Sequence, residues 1–160
     1  MSIHNTKVAV VTDSAAALSQ DQITVHRLFV PRMEITIDGE TYLDGTDREL
    51  DDFYTLLEAS TVIPTTSAAK PAEYLEQFRS AAEVANSVFC VSVSARLSAA
   101  HDAAKVAAEL FAEERPDVSV RVFDSETAAS SQALITLAAV RTAMAGGTLD
   151  EVEASARSVA

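Results

Sequence analysis

A single cysteine in 160 residues, Cys90, excludes an intrachain disulfide and a paired-cysteine metal site. It lies in the apolar run SVFCVSV and reads as a small core residue. Glycine is as scarce: with only Gly39, Gly45, Gly146 and Gly147 there is no GxGxxG and no Walker lysine loop. Dinucleotides and nucleoside triphosphates are therefore disfavoured as ligands. Tryptophan is absent, aromatics make up 6%, and 12 basic residues face 24 acidic ones, for a net charge of −12. Nothing in that balance would track a phosphate backbone, so nucleic acid is not an expected partner. No run approaches the roughly 20 apolar residues of a membrane span. No basic segment followed by an apolar one opens the chain, and a cytoplasmic protein without stable membrane insertion is expected.

What is present is a hydrophobic fraction of 48% segregated from the acidic surface, enough for a core of ordinary size. Lys7 to Thr12 (KVAVVT), Ser87 to Val93 and Val118 to Phe123 read as buried strands. His26 to Ile37 holds one or two further extended segments, punctuated by Gly39 and Gly45. Helices are expected after TDRE (Thr46 to Glu49), with Leu50, Phe53, Tyr54 and Leu57 on one face, and after Pro71, with Tyr74, Leu75, Phe78 and Ala82 inward. Another should run from about Ser98 to Glu113, with Ala100, Ala103, Ala104, Ala107, Leu110 and Phe111 inward, until Pro116 breaks it. A longer one runs from about Thr127 to Ala145. The stretch Ala133 to Val140 is apolar on nearly all sides, which calls for cover from its own sheet and from another domain or subunit.

Alternating strands and helices give the α/β class with a largely parallel sheet flanked by helices. The domain is expected to occupy residues 1–147. TLDE (Thr148 to Glu151) is a capping box that starts a helix still running at Ala160, the lead into a second domain missing from this chain.

Ligands of open α/β sheets sit beyond the carboxyl ends of the strands. Asp13 and Ser14 stand there after the first strand, Ser94, Arg96 and Ser98 after the second, and Asp124, Ser125 and Thr127 after the third. Thr65, Thr66 and Ser67 add a hydroxyl-rich loop before the helix at Pro71. Ser98 and Ser125 alone would each serve as a helix N-cap. Four such loops on one edge suit an anion, and the lack of a Lys or Arg cluster suits a singly charged one such as a carboxylate. There is no GxSxG elbow, none of His4, His26 or His101 has a recognisable catalytic partner, and no metal-ligand cluster stands out. His101 reads as a surface or capping residue. A different class of function, phosphoryl transfer or hydrolysis with Asp13 as nucleophile, remains open on these residues alone.

The ordered set TDSAAAL, Val30-Pro31, IDGETYLDG, IPTTSAAKPAEY, VSVSARLSAAHDAA and VFDSETAAS resembles the DegV family of bacterial fatty-acid-binding proteins. The resemblance runs from about Lys7 to at least Gly147. It implies a two-domain α/β protein that is not itself an enzyme and has no cofactor. It would hold one long-chain fatty acid such as palmitate and present it to the catalytic subunit of a fatty acid kinase for acyl-phosphate formation. Position by position, Thr66 matches the carboxylate-binding hydroxyl with Ser67 beside it, Ser98 the serine of the LSG element, and Ser94 the start of that loop. Ala68, Ala69 and Lys70 stand where the family has QPS, and Ala99 and Ala100 where it has a glycine and a polar residue.

Overall fold

In the computed structural model, which describes residues 6–47 and 50–160, the chain begins with β1 (Thr6–Thr12) and α1 (Gln20–Val25). A hairpin of β2 (Glu34–Ile37) and β3 (Glu40–Leu43) follows, then α2 (Leu50–Ala59), β4 (Thr65–Ser67) and α3 (Pro71–Ala82). The second half alternates as β5 (Ala85–Ser92), α4 (Ala100–Glu114), β6 (Ser119–Asp124), α5 (Ala129–Met144) and α6 (Leu149–Arg157). His4, and Arg48 and Glu49 of the expected TDRE box, lie outside the described residues.

The main sheet is parallel in the order β1-β5-β6, with Val10 opposite Phe89 and Cys90 opposite Val122. Side chains alternate across it with the period of two that a pleated strand imposes. Ala9, Val11, Val88 and Cys90 face a layer built by Tyr74 and Phe78 of α3 and Ala104, Ala107 and Phe111 of α4. Val8, Val10, Phe89 and Val91 face Ile135, Ala139 and Val140 of α5 and Val152 and Ala156 of α6. Cys90 is fully buried, and burial pushes its thiol well above the ordinary range, so it is inert packing.

Local signals place the helix ends. Pro71 occupies the first turn of α3, where a missing N–H costs nothing, and the Lys70 N–H donates to Glu73 at 2.7 Å. Thr148 and Glu151 cap α6 reciprocally. Gly146, at φ +84°, supplies the left-handed turn that ends α5.

Several expectations are corrected. Leu110 lies on the solvent side of α4, 44% exposed, while Ala81 rather than Ala82 is the fully buried alanine of α3. One side of α5 is covered by α6, from the same chain, because the tight turn at Gly146 folds α6 back along it, while Leu134 stays 60% exposed. That helix ends at Arg157 rather than running on to Ala160.

A second, antiparallel sheet has the order β3-β2-β4. Asp38 and Gly39, both at positive φ (51° and 82°), form the two-residue turn joining β2 to β3. An Asp-Gly pair between extended runs is a strong hairpin signal. Thr65, Thr66 and Ser67 are not a loop but β4, lying opposite Thr36, Ile35 and Glu34 of β2. No helix among the described residues is long and apolar enough to cross a membrane.

Candidate functional site

The carboxyl ends of the parallel strands and the end of β4 converge on a cavity of about 420 Å³. Thr66, Ser67 and Ala68 form one wall, Val93, Leu97, Ser98 and Ala99 another, and Ala15, Met33 and Ala128 complete it. Three of the four expected binding residues, Thr66, Ser67 and Ser98, are thus brought to one space from segments about thirty residues apart in sequence. The fourth, Ser94, is not part of the lining. It is 2% exposed and organises the turn beneath: its hydroxyl accepts the Arg96 N–H, its carbonyl accepts those of Leu97 and Ser98, and its own N–H donates to the Thr127 carbonyl.

The hydroxyls are placed to donate. Among the described residues no side-chain hydrogen bond occupies Thr66 or Ser67. Ser98 accepts the Ala100 N–H at 3.2 Å, which leaves its own proton free. Ser98 is not the N-cap of α4, a position held by Ala99, and Ser125 is not the N-cap of α5, where Ala128 stands. Ser125 instead closes a local turn with Thr127. Asp124 accepts the N–H groups of Ala95 and Glu126, tying the β5 and β6 loops together. Ser14 accepts the Met33 N–H at 3.1 Å, securing the segment before β2.

Among the described residues no Lys, Arg, His, Cys, Asp or Glu lines the cavity. Lys70, the nearest cation in sequence to Thr66, is paired with Glu34 at 2.7 Å. Hydroxyls without a cation suit a single negative charge and leave a phosphate chain uncompensated.

Behind the cavity lies a buried polar cluster that local patterns did not reveal. Asp13, 3% exposed, accepts the Val93 N–H (2.8 Å) and the Tyr74 hydroxyl (3.1 Å) on Oδ2 and the Gln132 side-chain amide (3.0 Å) on Oδ1. Burial raises the Asp13 pKa, against the opposing effect of these donors, and burial likewise drives that of Tyr74 far upward. A nucleophilic role for Asp13 would need an oxygen open to a substrate. Both oxygens are turned inward and occupied. Gln132 and Tyr74 stand 119 and 61 residues from Asp13, so only the position of Asp13 at a strand end could have signalled the cluster. His101 is half-buried, with Nδ1 2.9 Å from the hydroxyl of the fully buried Ser92. A serine closed off in this way is a structural partner, not a nucleophile.

Comparison with known proteins agrees with this architecture. The family model described as an uncharacterised protein of the DegV family matches residues 7–160. A DegV domain-containing protein of Streptomyces coelicolor is 35% identical over 150 residues, which are 93% of this chain and 51% of that protein. A crystal structure of a stearic-acid-binding protein from Eubacterium ventriosum superposes with a TM-score of 0.84 at 28% identity, covering 94% of this chain and 52% of the other. A fatty-acid-binding DegV family protein from Thermus thermophilus superposes with a TM-score of 0.82 at 26% identity, covering 96% and 53%. The chain spans about half the length of the curated relatives it matches.

Proposed function

The chain belongs to the DegV family, and from that premise we propose that it binds one long-chain fatty acid whose carboxylate is taken by the hydroxyls of Thr66 and Ser98. Ser67 stands beside Thr66 as a further donor, and Ser94 shapes the loop that offers Ser98. The observation that carries the reading is the meeting of Thr66 and Ser98 on one cavity that, among the described residues, no cation or acid-base group lines. That lining suits holding a carboxylate and offers no residue to transform it. In this reading the chain is a binding protein, and the family resemblance implies that it presents the bound acid, in the cytoplasm, to a separate kinase that forms the acyl phosphate. The fatty acids carried by the Eubacterium ventriosum and Thermus thermophilus proteins support the ligand class.

Lipid extraction and native mass spectrometry of the purified full-length protein test the ligand directly: an acyl chain should co-purify, or added palmitate should be taken up. Thr66→Ala and Ser98→Ala should each weaken palmitate binding by about ten- to a hundred-fold, the worth of a hydrogen bond to a charged group. Hexadecanol, with no charge to satisfy, should lose far less. Equal losses for acid and alcohol, measured by calorimetry, would remove the carboxylate assignment.

A further inference from the structure

The buried cluster around Asp13 lacks what usually justifies a carboxylate in a core. Thr12, Asp13, Tyr74, Gln132 and Thr136 are all at most 3% exposed, and no Lys or Arg is hydrogen-bonded to any of them among the described residues. Such a group is costly to bury, and an apolar residue of similar shape would serve stability as well or better. What the carboxylate supplies instead is a fixed point. A single atom, Oδ2, receives both the Val93 N–H and the Tyr74 hydroxyl. Val93 lines the cavity and leads into the Ser94–Ser98 turn. Tyr74 sits in the first turn of α3, which starts four residues after Ser67. Oδ1 receives Gln132 from α5, which begins next to the cavity-lining Ala128. Ala15, on the remaining wall, is two residues from Asp13 itself.

We propose that Asp13 is a positioning residue for the head-group site: its carboxylate pins the Val93–Ser98 turn and the β4–α3 segment to a common point, and so sets the separation of Ser98 from Thr66. This rests on the fatty-acid reading for its ligand, though not for its geometry. Hydroxyl donors discriminate a carboxylate only if they are held within a fraction of an ångström, which a second layer of hydrogen bonds provides.

The chemistry of the cluster predicts an unusual order among variants. Asn at position 13 can keep its carbonyl oxygen on the Val93 and Tyr74 side and turn its NH₂ toward Gln132. The Gln132 Oε1, buried without a partner among the described residues, can accept that NH₂ once its amide flips, at the expense of the longer bonds its own NH₂ makes to the Thr12 hydroxyl (3.2 Å) and the Val91 carbonyl (3.5 Å). Asp13→Asn therefore retains the pin, Asp13→Ala removes it, and Tyr74→Phe removes only the α3 arm while leaving Asp13, Val93 and Gln132 in place.

The experiment uses the full-length protein and two readouts. In amide hydrogen exchange without ligand, Asp13→Ala should accelerate exchange about ten-fold or more at Val93–Ser98 and Thr65–Ser67, with the β5–β6 ladder unchanged. Tyr74→Phe should do so at Thr65–Ser67 alone, which keeps the test available should Asp13→Ala not fold. In calorimetry, Asp13→Ala should cost palmitate about ten-fold in affinity and hexadecanol much less, while Asp13→Asn stays within about three-fold of the native protein. Unchanged exchange at both segments, uniform acceleration through the whole sheet, or an Asp13→Asn variant as impaired as Asp13→Ala would overturn the proposal. If Thr66→Ala leaves the acid-over-alcohol preference intact while the exchange pattern holds, the fatty-acid reading fails and the pin stands.

Discussion

Shortening the ligand from palmitate to decanoate should weaken binding to the full-length protein by about 5 kcal/mol, between three and four orders of magnitude in Kd. The two acids share a carboxylate, so Thr66 and Ser98 meet the same head group in both and contribute equally. The difference is six methylenes, each worth about 0.8 kcal/mol when moved from water into an apolar site. A hydrogen bond to a charged group adds about 1.5 to 3 kcal/mol. The tail therefore sets affinity and the head group sets orientation. Isothermal titration with the even-numbered acids from ten to sixteen carbons should give a steady gradient. A flat series would mean that the tail stays in water and that only the head group is bound.

The second large effect concerns the layer that carries the site. Phe78→Ala should destabilise the protein by about 3 to 5 kcal/mol, read from the midpoint of urea unfolding. Phe78 is fully buried at the centre of the face between the sheet, α3 and α4. Its ring packs at 6.2 Å centroid separation against Phe111 of α4, edge to face, and at 6.2 Å against Tyr74 of α3. Truncation removes the transfer free energy of the ring, leaves a cavity, and forfeits both aromatic contacts. Against a total stability of about 5 to 15 kcal/mol, that is enough to threaten the fold. Phe78→Leu, which keeps most of the volume, should cost clearly less. A loss below about 1 kcal/mol for the alanine variant would show that this layer collapses around the gap and that α3 is not rigidly seated. The consequence reaches the site, because α3 carries Tyr74 and follows directly on the strand that holds Thr66.

Elements whose signal is local were legible in the chain. The β-branched run KVAVVT and the apolar stretch around Cys90 became β1 and β5, because a strand buried on both faces needs uninterrupted apolar residues, whereas the strand before Asp124 became β6 as a half-buried edge strand, its Arg121 paired with Asp150 and Glu153, and not the buried strand expected. Pro71 and the TLDE box marked helix starts correctly, since a cap is a contact between residues three apart. The errors fell where a distant partner decided the outcome. Leu110 has helical spacing suited to burial, yet among the described residues it remains 44% exposed on the outer side of α4. Thr65 to Ser67 is too short to register as a strand by pattern, and β2 makes it one by pairing. Ser98 and Ser125 looked like caps, but the turns before α4 and α5 place alanines there.

By itself, then, the sequence determined the α/β class, the parallel core strands and the two hydroxyl-bearing segments, all of them consequences of periodicity and near-neighbour chemistry. It did not determine that Thr66 and Ser98 share one cavity, that Ser94 supports the wall without lining it, or that one buried carboxylate joins β1, β5, α3 and α5. The last depends on polar contacts spanning 61 to 119 residues of chain, and the first on the packing that brings β4 beside the turn after β5. A hydrogen bond leaves no period in the sequence on either side of it, so only the packed sheet could bring those partners together.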